Sequence, residues 1–182
     1  MNQHYFVGIS IPIQQALTLQ KATNNMELCK THKVVVVPED MHITLMYLGA
    51  VSPHQISNLA IYMEFVSKGK NHFNIVIQSV QLFGHEEKPR VVYADIDHAP
   101  MLHSLQSELT LGATETGLLL DKKPFVPHIT LAKKWSGEGQ MQTIYSFSEP
   151  ISFTVEQFSL FEIQPNQNPK YIPIATFPLG DR

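Results

Sequence analysis

Two histidines stand in identical tetrapeptides, His42-Ile43-Thr44-Leu45 and His128-Ile129-Thr130-Leu131, nearly half the chain apart. Both copies sit in strand-like surroundings, where a period of two puts His and Thr on one face and Ile and Leu on the other. Each strand then carries an imidazole beside a hydroxyl above an apolar underside. If the two copies face one another, two imidazoles and two hydroxyls converge in one cleft. That arrangement suits in-line displacement at phosphorus, which needs a base on the attacking oxygen and an acid on the departing one. With an unperturbed pKa of about 6.5, one ring can be neutral while its partner is protonated near neutral pH. The hydroxyls of Thr44 and Thr130 are neutral donors for non-bridging phosphoryl oxygens, and Lys133 adds positive charge close by. Such a scheme uses His42 and His128 as the catalytic pair and calls for no metal.

A single His-Ile-Thr-Leu is an ordinary strand sequence, and one copy alone reads as a structural histidine; two copies reverse that weighting. A metal centre ranks below acid–base catalysis, because two histidines without a clustered third ligand lack the usual ligand spacing. The other seven histidines read as solvent-facing or capping residues.

The rest of the composition bounds what such a site acts on. A chain of 182 residues, 43% hydrophobic, suffices for one well-formed core, so residues 1–182 are expected to form a single domain with two similar lobes. The net charge is −3, and only Arg90 and Arg182 are arginines, which argues against a long duplex gripped by its phosphates. A small substrate or a strand terminus with one or two phosphates, which requires no basic face, fits better, so the charge constrains the substrate's size more than its chemistry. The lone Cys29 excludes an internal disulfide and points to a reducing cytoplasm. Neither a signal peptide nor an apolar run long enough to span a membrane is found, no Gly-rich phosphate loop of the Walker type occurs, and nothing demands a cofactor or an oligomer.

The elements that must position the motifs alternate. Tyr5 to Ile11 reads as a strand leading into a helix with Ile13, Ala16 and Leu17 at helical spacing. Lys33 to Val37 and His42 to Leu48 are strands flanking the Glu39-Asp40 turn. Ser52-Pro53-His54-Gln55 carries a capping-box signature, followed by Ile56, Leu59, Ala60, Met63 and Val66 on one helical face. Phe73 to Ile77 and Arg90 to Ile96 predict a hairpin. Asp97 is expected to cap a helix through Met101, Leu102, Leu105 and Leu109 that fades between Gly112 and Gly117. Ile151 to Ile163 alternates but changes phase at Gln157, as a β-bulge would make it do, and Pro173 places Tyr171 to Phe177 at a sheet edge. Residues 136–147 are the least legible. The order predicts an α+β fold with mainly antiparallel pairing.

With these residues in view, the sequence resembles the two-histidine phosphoesterases, and among them the LigT-like RNA 2′,3′-cyclic phosphodiesterases, a group also called 2′-5′ RNA ligases. The resemblance extends through Met41-His42-Ile43-Thr44-Leu45-Met46-Tyr47-Leu48-Gly49-Ala50-Val51 and Pro124-Phe125-Val126-Pro127-His128-Ile129-Thr130-Leu131, with Arg90-Val91-Val92-Tyr93 and Tyr171-Ile172-Pro173 in similar places. It covers nearly the whole chain. It implies a bilobal, pseudo-twofold fold, two mainly antiparallel sheets facing each other across a central cleft with helices outside. It also implies hydrolysis of a 2′,3′-cyclic phosphate to a 2′-phosphate, one histidine activating water and the other protonating the 3′-oxygen, with the assignment open. The chain departs from the family where His4 and Lys133 stand in place of arginines. Phe125 and Tyr171 offer faces to a nucleobase, with core packing the alternative for Phe125. Arg90 either touches a phosphate or ends a hairpin in solvent. Other 2′-5′ phosphodiester chemistry, or a nucleotide-binding module without turnover, are the competing readings.

Overall fold

The computed structural model describes residues 3–120, 123–138, 141 and 145–180. Strand β1 (His4–Ser10) leads into helix α1 (Ile13–Ala22), which turns the buried Ala16 and Leu19 inward. A four-residue helix, α2 (Leu28–Thr31), precedes β2 (His32–Val35), and a 3-10 turn (Pro38–Asp40) delivers the chain into β3 (His42–Ala50). Helix α3 (Pro53–Lys68) begins with the anticipated capping box: Ser52 Oγ accepts from the Gln55 amide, and the Gln55 side chain accepts from the Ser52 amide. The predicted hairpin is β4 (Phe73–Gly84) with β5 (Pro89–Ile96).

Helix α4 (Pro100–Glu115) differs from expectation at its start. Its N-cap position is Ala99, with Pro100 as the first helical residue, while the Asp97 carboxylate instead accepts from the His98 amide at 2.7 Å and from Gln78 Nε2 at 2.6 Å. Its other end falls within the expected stretch from Gly112 to Gly117, the helix closing at Glu115, and Gly112 itself is helical, its missing side chain making room for α3. A Cβ there would stand 1.9 Å from Cε1 of Tyr62. Strands β6 (His128–Trp135), β7 (Tyr145–Val155), β8 (Gln157–Ile163) and β9 (Tyr171–Pro178) complete the chain. The phase change at Gln157 is no bulge. It is the break between β7, which pairs with β4, and β8, which pairs with β1.

The strands are hydrogen-bonded in the order β7-β4-β5-β6-β3-β1-β8-β9, with β2 attached to β6, and every pairing is antiparallel. This is an α+β architecture with a large antiparallel sheet. Pro173 does lie in an edge strand, where the lost amide donor leaves no ladder bond unmade. The order is symmetric about its centre: β3 and β6 are neighbours, flanked by β1 and β5. The two halves meet at a single residue pair, Ile43 with Ile129, so the β3–β6 ladder is as short as a ladder can be and each half keeps its own sheet surface. Below the centre lie Ile43, Leu45, Ile129 and Leu131, each at most 3% exposed. Helix α4 packs against β3, α3 against α4 and β9, and α1 against β7.

Candidate active site

The Ile43–Ile129 pairing sets the register of the two tetrapeptides. In an antiparallel pair it places His42 across from Thr130 and Thr44 across from His128, so the two imidazoles occupy one diagonal of a four-residue rectangle and the two threonines the other. All four side chains are partly exposed on one face, with the two isoleucines buried on the other.

Both rings are held the same way. His42 Nδ1 lies 2.7 Å from the carbonyl oxygen of Asp40, and His128 Nδ1 lies 2.8 Å from that of Val126. A carbonyl only accepts, so Nδ1 carries the proton in each ring and the lone pair of the neutral ring is on Nε2. Carbonyls two residues before each motif thus direct both Nε2 atoms away from the backbone. Thr44 Oγ1 lies 3.1 Å from His42 Nε2 and donates to it while that ring is neutral. Aromatic side chains fix the ring planes. Phe6 and Tyr171 lie 4.7 and 4.8 Å from His42, Phe83 and Tyr93 lie 5.1 and 5.4 Å from His128, and the second pair is itself stacked at 4.1 Å. Gly8 makes the first arrangement possible, since a Cβ there would stand 2.7 Å from the Ile43 carbonyl oxygen and 3.1 Å from the Phe6 ring.

Burial among these rings pushes the His42 pKa down to about 4. The Asp40 carbonyl bond opposes that shift; the positive charge of Lys133 and the interaction with His128 add to it. Lys133 and His128 therefore act on the same ring, which places them in its electrostatic reach.

Lys133 reaches the cleft through an irregularity that occurs in both motifs. In β3, Met46 pairs with Val7 and Thr44 with Gly8, leaving Leu45 as the extra residue of a bulge. In β6, Ala132 pairs with Val92 and Thr130 with Tyr93, leaving Leu131 extra. Each bulge shifts the phase by one, so the side chain five residues after the histidine, Tyr47 or Lys133, returns to the histidine's face. Tyr47 shares its pairing with Phe6, and Lys133 with Val91, itself paired with the Phe83 that packs on His128. The Tyr47 hydroxyl lies 2.6 Å from His4 Nδ1, so the residue at the arginine-like position of β1 meets the cleft rim through this pair.

Two cavities open beside the histidines. One, of about 510 Å³, is bordered by Thr44, Tyr47, Lys123, Phe125 and His128. Phe125 packs edge-on against the exposed His103, 5.3 Å away, and also against the core, so it joins cleft wall to core. The other, of about 260 Å³, is bordered by Asp40, Lys133, Lys134, Lys170 and Tyr171. Of the residues singled out from sequence, His42, His128, Thr44, Thr130, Lys133, Tyr171 and Phe125 come together here. Arg90 does not: it is exposed beside the β4–β5 turn and borders neither cavity.

Asp40, legible in the sequence only as half of the Glu39-Asp40 turn, also belongs to the site. The carboxylate of Asp40, 5% exposed, accepts from the amides of Lys170 at 2.8 Å and Tyr171 at 3.3 Å, while its own carbonyl accepts from His42. It ties the start of β9 to the start of β3. Its position two residues before a motif histidine was the available signal, but a turn aspartate carries no mark of a long-range partner. Among the described residues, no group of three or more His, Cys, Asp or Glu is placed to hold a metal ion, and no helix is long and apolar enough to cross a membrane.

Comparison with known proteins follows the same lines. The family model of the 2'-5' RNA ligase superfamily matches residues 17–167. The RNA 2',3'-cyclic phosphodiesterase of Bacillus subtilis is 36% identical over 178 residues, covering 97% of both chains. The protein of that name from Geobacillus stearothermophilus is 29% identical over 97% of this chain, which spans 57% of that relative's length. Among solved structures, that of E. coli LigT complexed with 3'-AMP superposes with a TM-score of 0.85 at 22% identity, over 97% of this chain and 98% of that one.

Proposed function

This chain belongs to the 2′-5′ RNA ligase superfamily, and from that premise and the geometry of the cleft we propose that it is a phosphoric diester hydrolase that opens RNA or nucleotide 2′,3′-cyclic phosphates to 2′-phosphates. The observation that carries the reading is the matched seating of His42 and His128. Each donates Nδ1–H to a carbonyl two residues upstream, and each leaves Nε2 to meet a substrate. The naming of the Bacillus subtilis relative, similar over nearly its full length, supports the choice of substrate.

In this mechanism a cyclic phosphate lies between the two Nε2 atoms. A water oxygen attacks phosphorus while its proton passes to the neutral ring. The P–O3′ bond opposite breaks, and O3′ takes a proton from the other ring, leaving a 2′-phosphate and a free 3′-hydroxyl. The protons have then crossed the pair, and exchange with solvent restores it. Thr44 and Thr130 hydroxyls donate to the non-bridging oxygens, and Lys133 offsets their charge as a point cation. Tyr171, beside His42, and Phe125, at the mouth of the larger cavity, provide faces for the nucleoside. Each half of the sheet supplies one histidine, so residues 1–182 act as one catalytic unit.

The test is incubation with the four nucleoside 2′,3′-cyclic phosphates and with a cyclic-phosphate-ended oligonucleotide, with product regiochemistry read by phosphorus NMR. A 2′-phosphate formed in the presence of a chelator is expected. A 3′-phosphate, a ligated product, or binding without turnover would replace the reading. The two histidine roles are told apart by the leaving group. With a bridging 3′-sulfur, which departs without a proton, substitution of the acid is tolerated and substitution of the base is not.

A further inference from the structure

The smaller cavity holds three of the chain's few cations. Lys133, Lys134 and Lys170 border it together with the single carboxylate of Asp40, leaving two more positive than negative charges in a protein of net charge −3. Lys30, Lys68 and Lys70 each pair with a glutamate; among the described residues, none of the three cavity lysines has an ion-pair partner. The Asp40 carboxylate is already engaged by the amides of Lys170 and Tyr171, which blunts its charge toward the cavity. Consecutive residues of a regular strand point to opposite faces, yet Lys133 and Lys134 both border this one cavity. Lys134 has φ +65°, a left-handed conformation that long L side chains rarely adopt and that persists only where the surroundings hold it. The cavity is continuous with the surroundings of His42 through Asp40, which holds that ring, Tyr171, which packs on it, and Lys133, whose charge acts on it.

We propose that this cavity is an anion subsite for a second phosphate of the substrate, the one borne on O5′ of the nucleotide whose cyclic phosphate lies between the histidines. The proposal rests on the cyclic phosphodiesterase reading. That phosphate is either the upstream phosphodiester of an RNA 3′ end or the 5′-phosphomonoester of a free nucleotide, and the two share the same ligand chemistry. Unpaired ammonium groups clustered in a concave, partly enclosed site bind phosphate more firmly than scattered surface lysines do, because fewer waters screen them.

The experiment compares kcat/KM for uridine 2′,3′-cyclic phosphate, its 5′-phosphorylated form, and a dinucleotide ending in a 2′,3′-cyclic phosphate. It uses the wild-type chain and the double variant Lys134→Asn, Lys170→Gln. Asn is chosen because it tolerates the left-handed backbone. For the wild type, the substrates carrying an O5′ phosphate should exceed the unphosphorylated one by about five- to tenfold, as two charge-assisted contacts in a half-open site suggest. The double variant should bring that ratio toward one, and high salt should narrow it. A gain for the dinucleotide alone assigns the subsite to a phosphodiester, and a gain for the monoester alone assigns it to a terminal phosphate. A wild-type ratio near one, with brisk hydrolysis of uridine 2′,3′-cyclic phosphate, overturns the subsite and leaves the enzyme reading intact. A ratio that survives in the double variant overturns it equally. If no substrate is turned over, the enzyme reading fails, and calorimetry with uridine 5′-monophosphate decides the subsite: binding unchanged in the double variant refutes it.

Discussion

His42 is expected to stay uncharged in the folded protein far below the pH at which a free imidazole takes a proton, and acidification is the perturbation that exposes this. Its pKa is pushed down from 6.5 to about 4, and a shift of one unit corresponds to about 1.4 kcal/mol. Burial of the neutral ring is therefore linked to about 3 kcal/mol of acid sensitivity, an upper value because the His42 side chain is partly exposed at the cleft. The sign follows from proton counting. Between pH 6.5 and about 4 the unfolded chain binds the His42 proton and the folded chain does not, so stability falls as pH drops through that window. Below about 4 both states carry the proton and this loss stops. Urea denaturation at several pH values from 7 to 3.5, for the wild type and His42→Gln, isolates the contribution, because other titrating groups largely cancel in the difference. The wild type should lose up to about 3 kcal/mol more than the variant, nearly all of it between pH 6.5 and 4, with the ring carbon resonance of His42 moving only at the acid end. Parallel stability curves, or a His42 resonance titrating near 6.5, would refute the argument from burial.

Four other outcomes are expected. Replacing His42 or His128 with alanine should lower kcat for 2′,3′-cyclic phosphate hydrolysis by about 10²–10⁴-fold, the usual worth of a positioned acid or base, with an unchanged circular dichroism spectrum. The kcat/KM profile should be bell-shaped in a chelator, its acid limb near the His42 value, because the active pair carries one proton whichever ring is the base. Asp40→Ala, which strips the acceptor from the Lys170 and Tyr171 amides, should cost about 2–4 kcal/mol in urea unfolding. Asp40→Asn, whose amide oxygen can still accept, should cost less. Gly8→Ala should destabilise by about 1–3 kcal/mol and depress turnover, since the new Cβ displaces either the Ile43 carbonyl or the Phe6 ring that seats His42; unchanged thermal unfolding and kinetics would show that the close approach is relieved at no cost.

Local chemistry alone determines much of this protein. The paired His-Ile-Thr-Leu segments declared their inner and outer faces through a two-residue period, and the Ser52–Gln55 box and the edge-placing Pro173 depend only on neighbours a few residues away. What the tertiary structure decided is long-range register. Whether Tyr47 and Lys133 share a face with the histidines depends on which residues β1 and β5 offer as partners, because the bulges at Leu45 and Leu131 exist only in the pairing. Asp97 could not be told from a helix cap while Gln78, on another strand, was unseen as its competitor, and the run from Ile151 to Ile163 read as one strand because its halves pair at different places in the sheet. Asp40 became part of the site through amides some 130 residues away. A side chain's own properties and its near neighbours are written in the chain, whereas backbone partners drawn from distant segments are chosen when the core closes, and they set where each functional group points.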